Sequence, residues 1–236
     1  MKTVIAISLA AATLAAASSC TFIKVNPAAF NGGHIERVVG SSNLEAKTYT
    51  VPQFTGIDSS ISADIFYTMT EGEPTVTVEA PENFLDNLNF KVVDGILKVR
   101  FDDEKQYSYR SIHIKVSSAT LESLDIRGAG DFDARNGIDC KSLDINVQGA
   151  GDVDIDDLRC EGDVNIAVRG AGDIGVRGLS CQKVKVEVMG AGDVDLAGEA
   201  ASADLSIKGA GDIDISRLKV EDVSTSVSGV GSVRRN

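Results

Sequence analysis

The chain has 236 residues, with 35 Asp and Glu against 23 Lys and Arg, a formal net charge of −12. That balance argues against nucleic acid, whose phosphates need a basic face, and a hydrophobic content of 43% is too high for a disordered chain. With 5% aromatics, no Trp and two His, the core has to be aliphatic, and few groups are available for catalysis or for stacking on sugar rings.

The first element is an address. Met1-Lys2 is a short positive start, and Val4 to Ala17 is an apolar run broken only by Ser8 and Thr13. The run has the length of a secretory leader and is too short to span a bilayer. Ser18-Ser19-Cys20 closes it, and small residues ending in Cys resemble a bacterial lipoprotein signal. In that reading 1–19 is removed and Cys20 is acylated, with palmitate among the expected chains, so that the membrane is a partner through the lipid. Ala17 stands where Leu is usual, and cleavage after Ala15-Ala16-Ala17 is the rival reading. Both place the mature chain in the cell envelope.

Residues 20–50 read as a flexible tether. Asn26-Pro27, Asn31-Gly32-Gly33 and Ser41-Ser42-Asn43 interrupt any sustained period, and His34 reads as a solvated linker residue. Residues 51–120 read as a β meander. Strands are expected over 61–70, 75–80, 88–93, 96–101 and 112–116, with a hairpin turn at Asp94-Gly95 and one helical turn at 81–85. Tyr107, Tyr109 and His113 read as packing at the junction with the second half, and the meander as its cap.

Residues 121–236 are a repeat. Gly-Ala-Gly-Asp begins at Gly128, Gly149, Gly170, Gly190 and Gly209, and Gly229-Val230-Gly231-Ser232 is a sixth, degenerate copy. Alternating apolar segments flank each copy, such as Leu143-Ile145-Val147 before and Val153-Ile155 after. Strict alternation predicts strands with one buried face. The unit is therefore strand, corner, strand and short connection. An all-β solenoid fits it, a parallel β-helix of about six coils of ~20 residues in which each strand pairs with its copy one coil on, about 4.8 Å away. The corner glycines Gly128, Gly130, Gly149, Gly151, Gly170, Gly172, Gly190, Gly192, Gly209 and Gly211 supply positive φ or close approach between coils. A phosphate cradle would need a helix after the glycines, and a strand follows instead.

Stacked coils align Asp131, Asp152, Asp173, Asp193 and Asp212 in one column, and Asp133, Asp154, Asp195 and Asp214 in another broken by Gly175. Three readings compete for the first column. Each Asp caps corner N–H groups in an Asx-type turn; or Ca²⁺ binds between coils, as in the Gly- and Asp-rich calcium rolls; or a carboxylate pair serves glycan cleavage. The first is preferred, because a catalytic pair should break a repeat that these residues constitute. Arg127, Arg169 and Lys208, each just before a corner, are the expected counter-charges. Cys140, Cys160 and Cys181 also align, and read as a column of small buried thiols or as a pair able to oxidise plus one left over.

The lipoprotein-like start, the Val92–Phe101 segment VVDGILKVRF and the serial GAGDVDI-type corners together resemble the family called putative auto-transporter adhesin, head GIN domain. The resemblance covers about 51–233 and implies a right-handed helix, an extracytoplasmic place and an adhesive role, with no catalytic residue to transfer. Thr21-Phe22-Ile23-Lys24 lacks the acidic run that resembles a surface-export signal, which favours the periplasmic side of the outer membrane. The expected function is a non-enzymatic, tethered binding or structural protein with a protein or glycan partner and no cofactor. The alternatives are a polysaccharide-acting enzyme and a calcium-stabilised solenoid. A homo-oligomer stays open.

Overall fold

The computed structural model describes residues 36–102 and 105–236. The leader, Cys20 and His34 lie outside them. The described chain is all β, with one 3-10 turn at Glu82–Phe84, and forms a solenoid of about five turns of about 21 residues. The helical turn expected at 81–85 is that 3-10 turn.

The repeat half follows the alternation of its residues. Strands β10 (Ser123–Gly128), β13 (Leu143–Gly149), β16 (Asp163–Gly170), the later part of β17 (Ile174–Val188), the later part of β18 (Val194–Gly209) and β20 (Asp222–Gly229) stack in parallel register as a first face. After each corner, β11 (Phe132–Ala134), β14 (Val153–Asp156), the starts of β17 and β18, β19 (Ile213–Lys219) and β21 (Val233–Arg234) form a second face. Short strands β12 (Ile138–Cys140) and β15 (Leu158–Cys160) begin a third, which β17 continues. Unequal repeat lengths are absorbed by register shifts between Val176 and Leu179 and between Asp195 and Ala197, next to the third face. Inward columns such as Leu124, Ile145, Ile166, Val186 and Leu205 are buried, so each rung covers the aliphatics of the next.

The part expected to be a capping meander is woven into the stack. Strand β3 (Gly56–Ser59) pairs parallel with β10 on one side and with β7 (Ile96–Phe101) on the other. Strand β4 (Asp64–Met69) likewise lies between β11 and β9 (His113–Ser118). Residues 56–69 are thus a coil of the solenoid, with Ile61-Ser62-Ala63-Asp64 in the corner where later rungs have Gly-Ala-Gly-Asp. Antiparallel strands lie only beyond this coil. They are β6 (Leu88–Val93) on β7, β5 (Thr75–Pro81) on β9, and β2 (Leu44–Thr50) on β5. The β6–β7 hairpin turns at Asp94 and Gly95, both at positive φ (51° and 77°), as the Asp-Gly pair predicts.

Two expectations are corrected here. The tether does not extend to residue 50, because β1 (Arg37–Val39) pairs with β8 (Gln106–Ser108) and all seven residues of β2 pair with β5. Their polar alternation hid them, since β2 lies almost wholly exposed on an edge. The boundary at 120 also falls inside the solenoid, whose first coil begins near 56.

One buried charge ties this first coil to both neighbours. Asp58 points outward from β3 yet is only 4% exposed, because Lys98, Arg100 and Arg127 fold over it. Lys98 Nζ and Arg127 Nη1 donate to its two carboxylate oxygens at 2.7 and 2.8 Å. Burial alone would raise the Asp58 carboxyl, but the Lys98 hydrogen bond and the three cationic charges outweigh it and hold the group below its ordinary value. Asp125, beside it in register, is pushed up by burial and then by the Asp58 charge. Inside the same junction the rings of Tyr67 and Phe132 stack with centroids 6.0 Å apart, and Phe84, Phe101, Tyr107 and Tyr109 cluster near the capping end.

Two predictions follow from this architecture. A Cβ on Gly172 would fall on the carbonyl oxygen of Gly151, which is backbone and cannot yield, whereas Gly72 has only the Thr70 hydroxyl nearby at 3.4 Å. Gly172→Ala should therefore cost about 3 kcal/mol or more in denaturant unfolding, and Gly72→Ala within about 0.5 kcal/mol. Asp58→Ala should cost about 2–3 kcal/mol at pH 7, less than a fully buried pair because its partners are partly exposed. The folded carboxyl titrates below its unfolded value, so this stabilisation is complete above the usual carboxylate range and is lost as pH falls through the folded pKa. Unfolding of the wild type and the variant should converge there.

Candidate binding surface

The corners are held by more than glycine. Asp152 N–H donates to Asp131 Oδ1 (3.0 Å), Asp173 N–H to Asp152 (2.9 Å), Asp193 N–H to Asp173 (2.8 Å) and Asp212 N–H to Asp193 (2.8 Å). The carboxylate of each rung thus accepts the amide of the next. The series closes at Ser232, whose amide and hydroxyl both donate to Asp212 Oδ1, at 2.7 and 2.9 Å. These two bonds hold the Asp212 carboxyl below the usual carboxylate range. Around them Ala150, Ala171, Ala191 and Ala210 donate to the glycine carbonyl one rung back. The preferred reading was a capping Asp within its own turn. The structure places the donor in the neighbouring coil instead: parallel stacking in register brings the amide of each corner Asp to the carboxylate of the Asp one rung back.

Glycine is required at both positions of the motif, for two reasons. Gly128, Gly149, Gly170 and Gly190 have φ between 129° and 155°, in the region that L side chains rarely adopt. Gly130, Gly151, Gly172, Gly192 and Gly211 carry no such φ; a Cβ there would meet the carbonyl of the rung below. Gly209 belongs to this second case.

The outer column is neutralised by arginines on the second face. Arg177 reaches Asp156 (2.9 Å) and Asp154 (3.4 Å), Arg217 reaches Asp195 (2.6 Å), Arg234 reaches Asp214 (2.9 Å) and Arg135 reaches Asp133 (2.7 Å). Ser216, and then Arg234, hold the Asp214 carboxyl low. The basic residues expected to serve the corners turn elsewhere: Arg127 to Asp58, Arg169 to Asn146 Oδ1 and Lys208 to Glu187. They precede the corner on the first face, so they point away from the second. Among the described residues no three His, Cys, Asp or Glu side chains converge to hold a metal ion.

The outward strip of the second face is therefore a flat, mixed-charge surface. It runs in register from Lys115 through Phe66, Asp133, Asp154, Gly175, Asp195 and Asp214. Gly175 leaves a shallow depression bordered by Asp154, Asp195, Arg177 and Arg217. Phe66 is 41% exposed and stands edge-on to His113, whose Nε2 lies 3.4 Å from Asp64 Oδ2. Phe66 carries no motif that marks it as functional. Its signal was the alternation Ile65–Tyr67, which turns the residue between them outward.

The cysteine column is not three buried thiols. Cys140 and Cys160 form a disulfide on adjacent rungs, Cα atoms 4.9 Å apart, while Cys181 is free and half-buried. Burial, and then the charge of Asp163, push the Cys181 thiol up to about 11.

The ladder makes a rung-independent prediction. Asp173→Ala removes the acceptor for the Asp193 amide, and should lower the melting temperature by roughly 2–4 °C, as a solvated charge-assisted bond implies. Asp173→Asn keeps an oxygen acceptor and should recover most of that loss. The same pair at Asp152 should behave alike, by thermal melts followed with circular dichroism.

Known proteins carry the same architecture. A putative adhesin from Bacteroides fragilis is 26% identical and superposes with a TM-score of 0.70 over 84% of this chain and 100% of its own. A putative lipid binding protein from Parabacteroides distasonis (21% identity, TM-score 0.55, 85% of this chain and 100% of that one) has the same fold. So does a putative adhesin from Parabacteroides merdae (18%, 0.55, 85% and 99%). No curated protein matches. No helix among the described residues is long and apolar enough to cross a membrane. Residues 53–236 match the family described as putative auto-transporter adhesin, head GIN domain, and the chain belongs to that family.

Proposed function

We propose that the chain is a lipid-anchored envelope protein without catalytic chemistry, whose solenoid offers the outer strip of its second face to a protein or glycan partner. The observation that carries this reading is the equivalence of the rungs. Each corner Asp does the same work as its neighbours, holding the next coil, so no rung is set apart as a reaction centre. The adhesin name of the Bacteroides fragilis structure agrees with it. Phe66 supplies the one aromatic face on the strip, flanked by Lys115 and Asp133, a setting suited to a sugar ring or a partner side chain. Cys20 is the proposed acylated residue, with the periplasmic side of the outer membrane as its place.

A second reading is lipid contact near the amino-terminal end of the described chain. Val39 and Leu44, 64% and 55% exposed, border a cleft with Pro81 and Tyr109. The lipid binding name of the Parabacteroides distasonis structure points the same way.

Cys20→Ser should abolish palmitate labelling and move the chain from the membrane to the soluble fraction. If the unlabelled chain still sediments with phospholipid vesicles, the cleft reading gains and simple anchoring fails. On a glycan array and with envelope extracts, Phe66→Ala should weaken capture roughly tenfold with an unchanged melting temperature. Blank results for the wild type on both would overturn the adhesive reading. Turnover of a polysaccharide that is lost in Asp152→Ala but kept in Asp173→Ala would overturn the non-enzymatic one.

A further inference from the structure

Strand β20 forms the last rung of the first face, and among the described residues no strand pairs with its far edge. Its inward positions Val223, Thr225 and Val227 continue the columns of Ala203, Leu205 and Ile207. Val223 is half-buried beside a cleft that Arg235 and Asn236 also line, but Val227 is 46% exposed, although Ile207 beneath it is buried. Sheet edges of this kind normally carry charges, prolines or bulges that discourage strand addition. The opposite end of the stack does so, with Glu45 and Lys47 on β2 and Lys91 on β6. β20 has no proline, no charge after Asp222 and an unbroken register.

Two further features single out the occupant. Val223-Ser224-Thr225-Ser226-Val227 reads identically in both directions. The outward columns also lose their charge at this rung. The column Asp144, Asn165, Lys185, Asp204 ends in Ser224, Glu187 and Ser206 are followed by Ser226, and Arg169, Met189 and Lys208 by Ser228. In a chain of net charge −12, the uncharged stretch 223–229 is where two copies can meet without opposing like charges.

We propose that β20 pairs antiparallel with β20 of a second copy of this chain, about a two-fold axis through Thr225, to give a closed tail-to-tail dimer. Val223 then faces Val227 of the other copy, Ser224 faces Ser226, and Thr225 faces itself. An axis perpendicular to the sheet keeps the inner face inside, so the valines of both copies extend one aliphatic core and the serines remain in water. The pairing supplies partners to the free amides and carbonyls of both edges. Being isologous it stops at two, and it leaves the two amino-terminal ends at opposite ends of the doubled rod. Asp222 meets Ser228, so no acid opposes an acid.

The test uses the full chain. Thr225→Cys should give a disulfide-linked band at twice the chain mass on a non-reducing gel under mild oxidation. Ser228→Cys should not, since antiparallel pairing sets the two copies of position 228 about 20 Å apart. The wild type, with Cys181 free, controls for background. Val227→Lys should convert the sedimenting dimer to monomer while leaving the melting temperature within a few degrees. A monomeric wild type at about 100 µM, a Ser228→Cys band as strong as that of Thr225→Cys, or species larger than a dimer would each overturn the proposal.

Discussion

The spacing between coils is the constraint from which the other features follow. Parallel strands sit about 4.8 Å apart, and in a solenoid that distance applies to the corners as well as to the flat faces. At the corners there is no room for a Cβ beneath the carbonyl of the neighbouring rung, which is why Gly151 lies over Gly130, and Gly172 over Gly151. The same closeness puts the amide of one Asp within reach of the carboxylate of the last. A side chain two bonds longer would overshoot, and an alanine would leave the amide to solvent. The Gly-Ala-Gly-Asp motif thus reads as a solution to one distance: glycine where backbone meets backbone, aspartate where an amide needs an acceptor. The degenerate copy, with Ser232 in the Asp position, keeps the same contact: its amide and hydroxyl both donate to the Asp212 carboxylate.

Much of this was legible in the residues. The strand alternation, the corner glycines, the Asp-Gly hairpin at 94–95 and the inward columns are all local patterns, and local patterns survive in a linear string. What was hidden is non-local. The coil at 56–69 resembles the later rungs in its register, but the strands at 75–118 separate it in sequence from the rung it stacks on, so no ~20-residue period points to it. Its corner, Ile61-Ser62-Ala63-Asp64, retains only the final Asp of the motif. The site was legible in the same measure. The columns of acids were evident, but their partners were not: an Arg two to five residues past one corner reaches the acid of the previous rung, a choice that depends on which face each strand occupies.

Insertion of the first coil between two different neighbours explains the one expensive feature of the core. Elsewhere no outward carboxylate among the described residues is buried as Asp58 is. At β3 the neighbours are β7 from the capping strands and β10 from the repeat, and their cations close over Asp58 from both sides. A buried carboxylate with three cationic partners is a poor means of gaining stability but a good means of fixing register, because a slip by one residue would bury the charge alone. The disulfide between Cys140 and Cys160 acts in a comparable way, locking the first two strands of the third face.

Uniformity also bears on function. An enzyme concentrates strain, displaced charge and unpaired groups at one place, and a repeat spreads them evenly. Here the departures from uniformity are few, and each has a physical description. Asp58 locks a junction, Gly175 opens a shallow gap in a row of acids, Phe66 places an aromatic edge on an otherwise polar strip, and β20 ends its columns in serine. Two of these four are on the same outward strip of the second face, about three rungs apart, and the fourth is at the end of the rod. For the proposed binding role, a surface of that kind would engage a partner by breadth rather than by a pocket, and the proposed end-to-end pairing would double its contacts without altering any one of them. On that proposal the end of the stack contributes to binding strength as much as its sides do.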